Sequence, residues 1–240
     1  MTEIILSPSV SWKLLPWIKI SQKIFILQEK IYKFSKQCNQ HKVHQLQDYI
    51  INSSDVKIFI IQKIINNLNN CCYQCNKKRY RVKDIEKFYI YKNLSTIQEY
   101  KKSINIVLEY IKQYLVYICI KPEWEAKFEP IYKFKLNIIL NNFHSICNVN
   151  SYICIYINKH SKYLSISYFN KRIQSLQSIK CYLNYWLNYQ IIERYQKTKN
   201  RYYNFYPSIF NCLKILIDYI KFNGIEWYLM YYSSFFEKNN

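Results

Sequence analysis

Residues 18–36 read IKISQKIFILQEKIYKFSK, and within them Ile20, Ile24, Leu27, Ile31 and Phe34 recur at spacings of three and four. That period places the five side chains on one face of an α-helix, with Lys19, Lys23, Lys30 and Lys33 away from the seam. The spacing therefore predicts a helix over Ile18–Lys36 that buries one face and offers lysines to solvent. The same period continues outward. Val43, Leu46 and Ile50 predict a second helix. A third is predicted from Ser54 or Asp55, both good N-caps, through Phe59, Ile60, Ile64 and Leu68 to an Asn-rich break at Asn66–Asn70. The first 70 residues are expected to form a small helical unit.

Beyond it, Cys71–Lys83 reads as a loop-like basic segment in which Lys77, Lys78, Arg79, Arg81 and Lys83 surround Tyr80. Further helices are predicted over Thr96–Tyr117, Phe134–Ile146, Tyr168–Tyr189 and Ser208–Phe222, the last starting after Pro207 and ending near Gly224. Tyr152–Ile157, a run of aromatic and β-branched residues, predicts a strand. The expected fold class is mainly α with minor β. Its expected parts are a helical region over 1–70, a basic linker over 71–95 and a third part over 96–240.

The 240 residues carry 35 Lys and Arg against 15 Asp and Glu, a formal charge of +20. Between Pro130 and Ile192 there is no acidic residue, while Lys133, Lys135, Lys159, Lys162, Lys171, Arg172 and Lys180 accumulate among tyrosines. One sign of charge with interleaved aromatics is the character of a polyanion-binding face. The plain alternative is a compositional bias that places lysine wherever solvent tolerates it. Such a bias is visible: Lys, Asn, Ile, Tyr and Phe make up 132 of the 240 residues, the mark of a very AT-rich gene. An organelle genome is the expected source, a plastid first and a mitochondrion second.

The single glycine, Gly224, argues against phosphate-cradling loops and nucleophile elbows, whose backbones glycine supplies most easily. No import or secretory signal is read at the N-terminus, and no apolar run approaches the roughly 18 residues of a membrane span, so no membrane partner is expected. Nine cysteines, odd in number and irregular in spacing, predict free thiols in a reducing compartment. Cys71, Cys72 and Cys75 lack a fourth ligand at suitable spacing, and His41 and His44 read as a solvated pair. Neither a metal nor a cofactor is expected. Trp12 and Trp17 are candidates either for stacking on bases or for anchoring between helices.

Two segments resemble the reverse transcriptase/maturase proteins encoded by group II introns. The first comprises Ser11-Trp12-Lys13, Trp17, Leu27-Gln28-x-x-Ile31-Tyr32-Lys33-x-Ser35 and Val43-x-x-Leu46-Gln47, and resembles that family's N-terminal RNA-binding region. The second, Pro122-Glu123-Trp124-Glu125-Ala126-Lys127-Phe128-Glu129-Pro130, is close to the family's PEWEARFEP, with Tyr132-x-Phe134-Lys135 following in place of Y-G-F-R. Weaker similarity continues over Tyr182–Ile192 and Leu216–Glu226. The resemblance implies that 1–70 binds RNA and that 96–240 is a residual, incomplete reverse-transcriptase fingers/palm fragment, with thumb and maturase domain absent. It also implies structural roles for Glu123, Glu125 and Glu129, at helix ends and in salt bridges.

Nucleotidyl transfer needs carboxylates that hold two Mg²⁺ ions. The strand that would carry the first, Tyr152–Ile157, has none, and no acidic pair follows Glu226, the only aspartates being Asp48, Asp55, Asp84 and Asp218. No enzyme activity is expected. The expected role is a maturase-like one, stabilising group II intron RNA during splicing, with contacts from Lys19, Lys23, Lys30, Lys33, Lys77, Lys78, Arg79, Arg81, Lys83, Lys133 and Lys135. The competing readings are a basic ribosome-associated organellar protein, a membrane-surface protein and a decaying intron reading frame.

Overall fold

The seam read from residues 18–36 is buried: Ile20, Ile24, Leu27 and Ile31 all lie inside on α1, which runs Trp17–Lys36. The computed structural model describes residues 11–74, 82–94, 102–127, 166–188 and 212–222. In chain order, a 3-10 turn at Trp12–Leu14 leads into α1, followed by α2 (Gln40–Asn52), α3 (Ser54–Gln74), α4 (Asp84–Asn93) and α5 (Lys102–Lys127). Then come α6 (Ile166–Arg172), α7 (Gln177–Asn188) and α8 (Cys212–Phe222). The described residues are mainly helical, with no strand among them. The predicted strand at Tyr152–Ile157 and helix at Phe134–Ile146 lie outside the described residues.

The chain divides into two compact units, residues 1–127 with 191–213, and residues 128–190 with 214–240. In the second, α6 and α7 pack on each other, with Phe169, Ile173, Ile179, Leu183 and Trp186 buried. The single helix expected over Tyr168–Tyr189 is therefore two, interrupted at 173–176, where Ile173 and Ser175 are buried.

In the first unit α1, α2, α3 and α5 pack pairwise against one another, and α4 packs on α3. Every residue from Gln113 to Ile120 is buried, as befits a helix enclosed by its neighbours. Two boundaries differ from expectation. α3 runs through Asn66–Asn70 to Gln74, so those asparagines are not a break and Cys71–Lys83 is not wholly a loop. Each Asn costs a helix at most about 0.7 kcal/mol, less than burying Ile60, Ile61, Ile64 and Ile65 returns. α5 likewise continues past Tyr117 and through Pro122 to Lys127.

A proline inside a helix has no N–H for the carbonyl four residues earlier, here that of Ile118. Gln28 of α1 takes that place, its Nε2 donating to the Ile118 carbonyl at 3.3 Å. The neighbouring turn is held the same way. Gln47 of α2 donates to the Cys119 carbonyl at 3.4 Å and to Glu123 Oε2 at 2.7 Å. Ser35 Oγ donates to the Glu123 carbonyl at 3.1 Å. Glu123, 0% exposed, also accepts from Gln40 Nε2 at 3.2 Å and pairs with Lys127 Nζ at 2.6 Å. Its expected helix-end placement is thus corrected: Glu123 lies inside α5 and ties α1 and α2 to it. Glu125 pairs with Lys121 at 3.5 Å near the surface, and Glu129 lies outside the described residues.

The α1–α2 connection is made without glycine. Cys38 has φ 55°, with its N–H on the Ser35 carbonyl at 3.0 Å and the Asn39 N–H on the Phe34 carbonyl at 3.0 Å. These are the two bonds of a Schellman stop, whose left-handed position favours glycine. Asn39 then caps α2, accepting from the Lys42 N–H at 3.2 Å.

At the other end of the unit Trp12, only 2% exposed, gives its backbone N–H to Asp84 Oδ2 at 3.1 Å. Asp84 also pairs with Lys87 at 2.9 Å, and Lys87 Nζ stands 5.3 Å from the centre of the Trp12 ring. Burial works to raise the Asp84 carboxyl, but the Lys87 ammonium and the Trp12 N–H, with Lys13 adding charge, hold it below its ordinary 3.8.

Three outcomes follow from these contacts. Cys38→Gly relieves the left-handed backbone and is expected to raise stability by about 1 kcal/mol in denaturant titration. Glu123→Ala leaves buried amides without their acceptor and should cost about 3–5 kcal/mol in the same titration. Because the folded pKa of Asp84 is depressed, its stabilisation is present above the unfolded value and lost as pH falls through the folded one. The difference in melting temperature between wild type and Asp84→Asn, measured at neutral pH, should therefore shrink as the pH falls below the ordinary 3.8 and vanish once the folded-state carboxyl is protonated.

Candidate nucleic-acid interface

At roughly 100° per residue, Lys19, Lys30 and Lys33 fall within about 60° of one another on α1 and span roughly 20 Å of its length. All three are exposed, and Lys19 and Lys30 make no ion pair among the described residues. Lys33 pairs with Glu29 at 2.7 Å, but both side chains are solvated and such pairs hold weakly. Lys36, near the C-terminus of the same helix, and Lys42, at the start of α2, are also exposed. Each lies over a neighbouring ring, Lys36 5.0 Å from the centre of Tyr32 and Lys42 4.9 Å from that of Phe34.

Lys23 does not join this stripe. It sits at the edge nearest the seam and pairs at 2.5 Å with Asp55 of α3, their side chains 14% and 6% exposed. Burial works to lower the lysine's pKa, but the Asp55 carboxylate and the Tyr49 hydroxyl outweigh it and leave the group raised. The residue expected on the solvent side is therefore an internal tie between α1 and α3, and it is corrected from the set of RNA contacts. Of the two roles open to Trp12, the structure favours the anchor, since its ring is buried and cannot lie against a base. Trp17, half-buried, donates its ring N–H to the Trp12 carbonyl at 3.1 Å, so the pair anchors the lead-in to α1.

Lys83 is exposed just before α4, its backbone N–H held by Glu86 Oε2 at 2.8 Å. Lys77, Lys78, Arg79, Arg81, Lys133 and Lys135 lie outside the described residues. His41 and His44 do not face a common ligand: His41 bonds Gln45 at 3.0 Å and His44 bonds Gln40 at 3.1 Å. Among the described residues no cluster of three metal-ligating side chains occurs, and no helix is long and apolar enough to cross a membrane.

α1 also leaves outside apolar residues that its regular stripe does not include. Ile18, Phe25 and Ile26 are 74%, 67% and 46% exposed, off the buried seam on the same helix. Their signal in the sequence is an excess: residues 18–36 hold more apolar positions than one buried face needs.

One segment of the chain also matches a known family. No curated protein and no solved structure matches it. Residues 12–72, from the buried tryptophan through nearly all of α3, match the N-terminal domain of reverse transcriptase, and this match supports a group II intron reverse transcriptase/maturase-like protein.

Proposed function

We propose that this chain binds group II intron RNA through its N-terminal helices and assists splicing by stabilising the folded intron, without nucleotidyl transfer of its own. The observation that supports the reading is the lysine stripe: within the segment matching the reverse-transcriptase N-terminal domain, Lys19, Lys30 and Lys33 share one exposed face of a helix whose other side is locked into the unit. Lysines neutralise phosphates and release counterions, while a fixed helical frame selects an RNA surface by its shape. A protein that binds only the folded intron stabilises it by mass action, and the splicing chemistry remains that of the RNA. The absence of aspartate from Tyr152–Ile157 favours binding over polymerisation, and the AT-rich composition favours a plastid setting.

The test is competition, at moderate salt, between a group II intron and a scrambled RNA of equal length. Preference for the intron is expected, and equal affinity would leave only a generic polycation. Replacing Lys19, Lys30 and Lys33 together by Gln should reduce the slope of log K against log salt by roughly 2, each lost phosphate contact on a single strand being worth about 0.7. Lys23→Gln should instead lower stability by about 3 kcal/mol and leave the salt slope of the folded protein unchanged, because it strands Asp55 inside.

A further inference from the structure

A cleft of about 680 Å³ opens between α1, α3 and α5. Tyr114 and Tyr117 lie in it, largely buried, with ring centres 5.6 Å apart. Phe25 stands at its lip, and Gln22 lines the same side. Lys63 Nζ lies 5.2 Å from the centre of Tyr114 and makes no ion pair among the described residues, and Lys121 Nζ lies 5.7 Å from the centre of Tyr117. No carboxylate among the described residues lines the cleft, although Glu125 pairs with Lys121 at 3.5 Å.

An exposed ring, an amide and two cations without a lining acid are complementary to a base with its phosphate. Bases stack on aromatic side chains irrespective of sequence, amides meet their hydrogen-bonding edges, and lysines meet the backbone. The volume falls in the range of clefts that hold a small ligand, roughly 300–1,000 Å³. A second copy of this chain fits less well, because each molecule carries a formal charge of +20 and like charges across an interface are costly. A base paired within a duplex cannot enter a cleft, so the occupant has to be unpaired.

We infer that the α1/α3/α5 cleft takes an unpaired nucleotide of RNA, its base against Phe25 and its phosphate at Lys63 and Lys121. This rests on the RNA-binding reading and adds a second contact, distinct from the lysine stripe, that recognises unpaired bases and not duplex shape.

The experiment uses the full chain and a fluorescein-labelled ten-residue oligoadenylate, alone and annealed to oligouridylate, read by anisotropy. The single strand should bind, with Phe25→Ala weakening it about tenfold, the effect of one lost base–aromatic stack. Lys63→Gln should weaken it severalfold, and neither variant should alter the affinity for the duplex. Phe25 is largely exposed, so the alanine variant should keep its helical circular dichroism. A ten-residue oligouridylate carrying 4-thiouridine should crosslink to Phe25 or Tyr117.

Unchanged single-strand affinity in a folded Phe25→Ala variant, with crosslinks elsewhere, would overturn the assignment. So would a dimer in sedimentation that the variant converts to monomer, since the cleft would then belong to a second copy. If the wild type prefers the intron but does not bind the oligoadenylate, the cleft assignment fails and the intron reading stands. If the oligoadenylate binds in the cleft and intron preference is absent, the intron reading fails and the cleft assignment stands.

Discussion

A proline inside α5, five residues before the helix ends, sets the terms for the first unit. Pro122 deprives the Ile118 carbonyl of its helical partner in a region where no water competes, so another donor has to arrive from a neighbouring helix. Gln28 of α1 provides it, and one turn on, Gln47, Gln40 and Ser35 converge on Glu123. A buried carboxylate is tolerated only when its oxygens are occupied, and here Gln40 and Gln47 of α2 and Lys127 of α5 itself occupy them, while Ser35 of α1 holds the backbone carbonyl of the same residue. Directional bonds of this kind fix rotation and register, which apolar packing alone leaves loose.

The residues that carried the resemblance in sequence are in large part the ones that meet there. Gln28, Ser35 and Gln47 belong to the N-terminal motifs, and Pro122 and Glu123 belong to the second segment, many residues away along the chain. Linear spacing cannot reveal that these stretches form one polar cluster. The helices themselves were legible because their apolar period is strong. What escaped was governed by tertiary context: α5 continues through a proline because α1 repairs the damage, and α3 continues through asparagines because its isoleucines are buried.

The candidate surface was legible to a similar depth. Helical period separates Lys19, Lys30 and Lys33 from the seam correctly, but it cannot show that Asp55, on another helix, captures Lys23. Nor can it show that Trp12 closes over α4 through Asp84 and Lys87 and so is lost to any ligand. Charge counts overstate a binding face whenever part of the charge is spent inside the fold. Aromatic counts overstate stacking for the same reason.

The donors at Gln28, Ser35 and Gln47 and their acceptors on α5 are separated by 90, 88 and 76 residues along the chain. A segment can therefore be a recognisable stretch of sequence, as residues 12–72 are, without being a self-sufficient folding piece. During synthesis at about 5–20 residues per second, the first three helices wait several seconds for α5 to be made. Until it arrives they present a bare apolar seam beside a row of lysines, the composition most prone to premature capture by nascent polyanions or by other chains. The order in which the ribosome releases this protein, and not only its final shape, sets how much of it reaches the packed state.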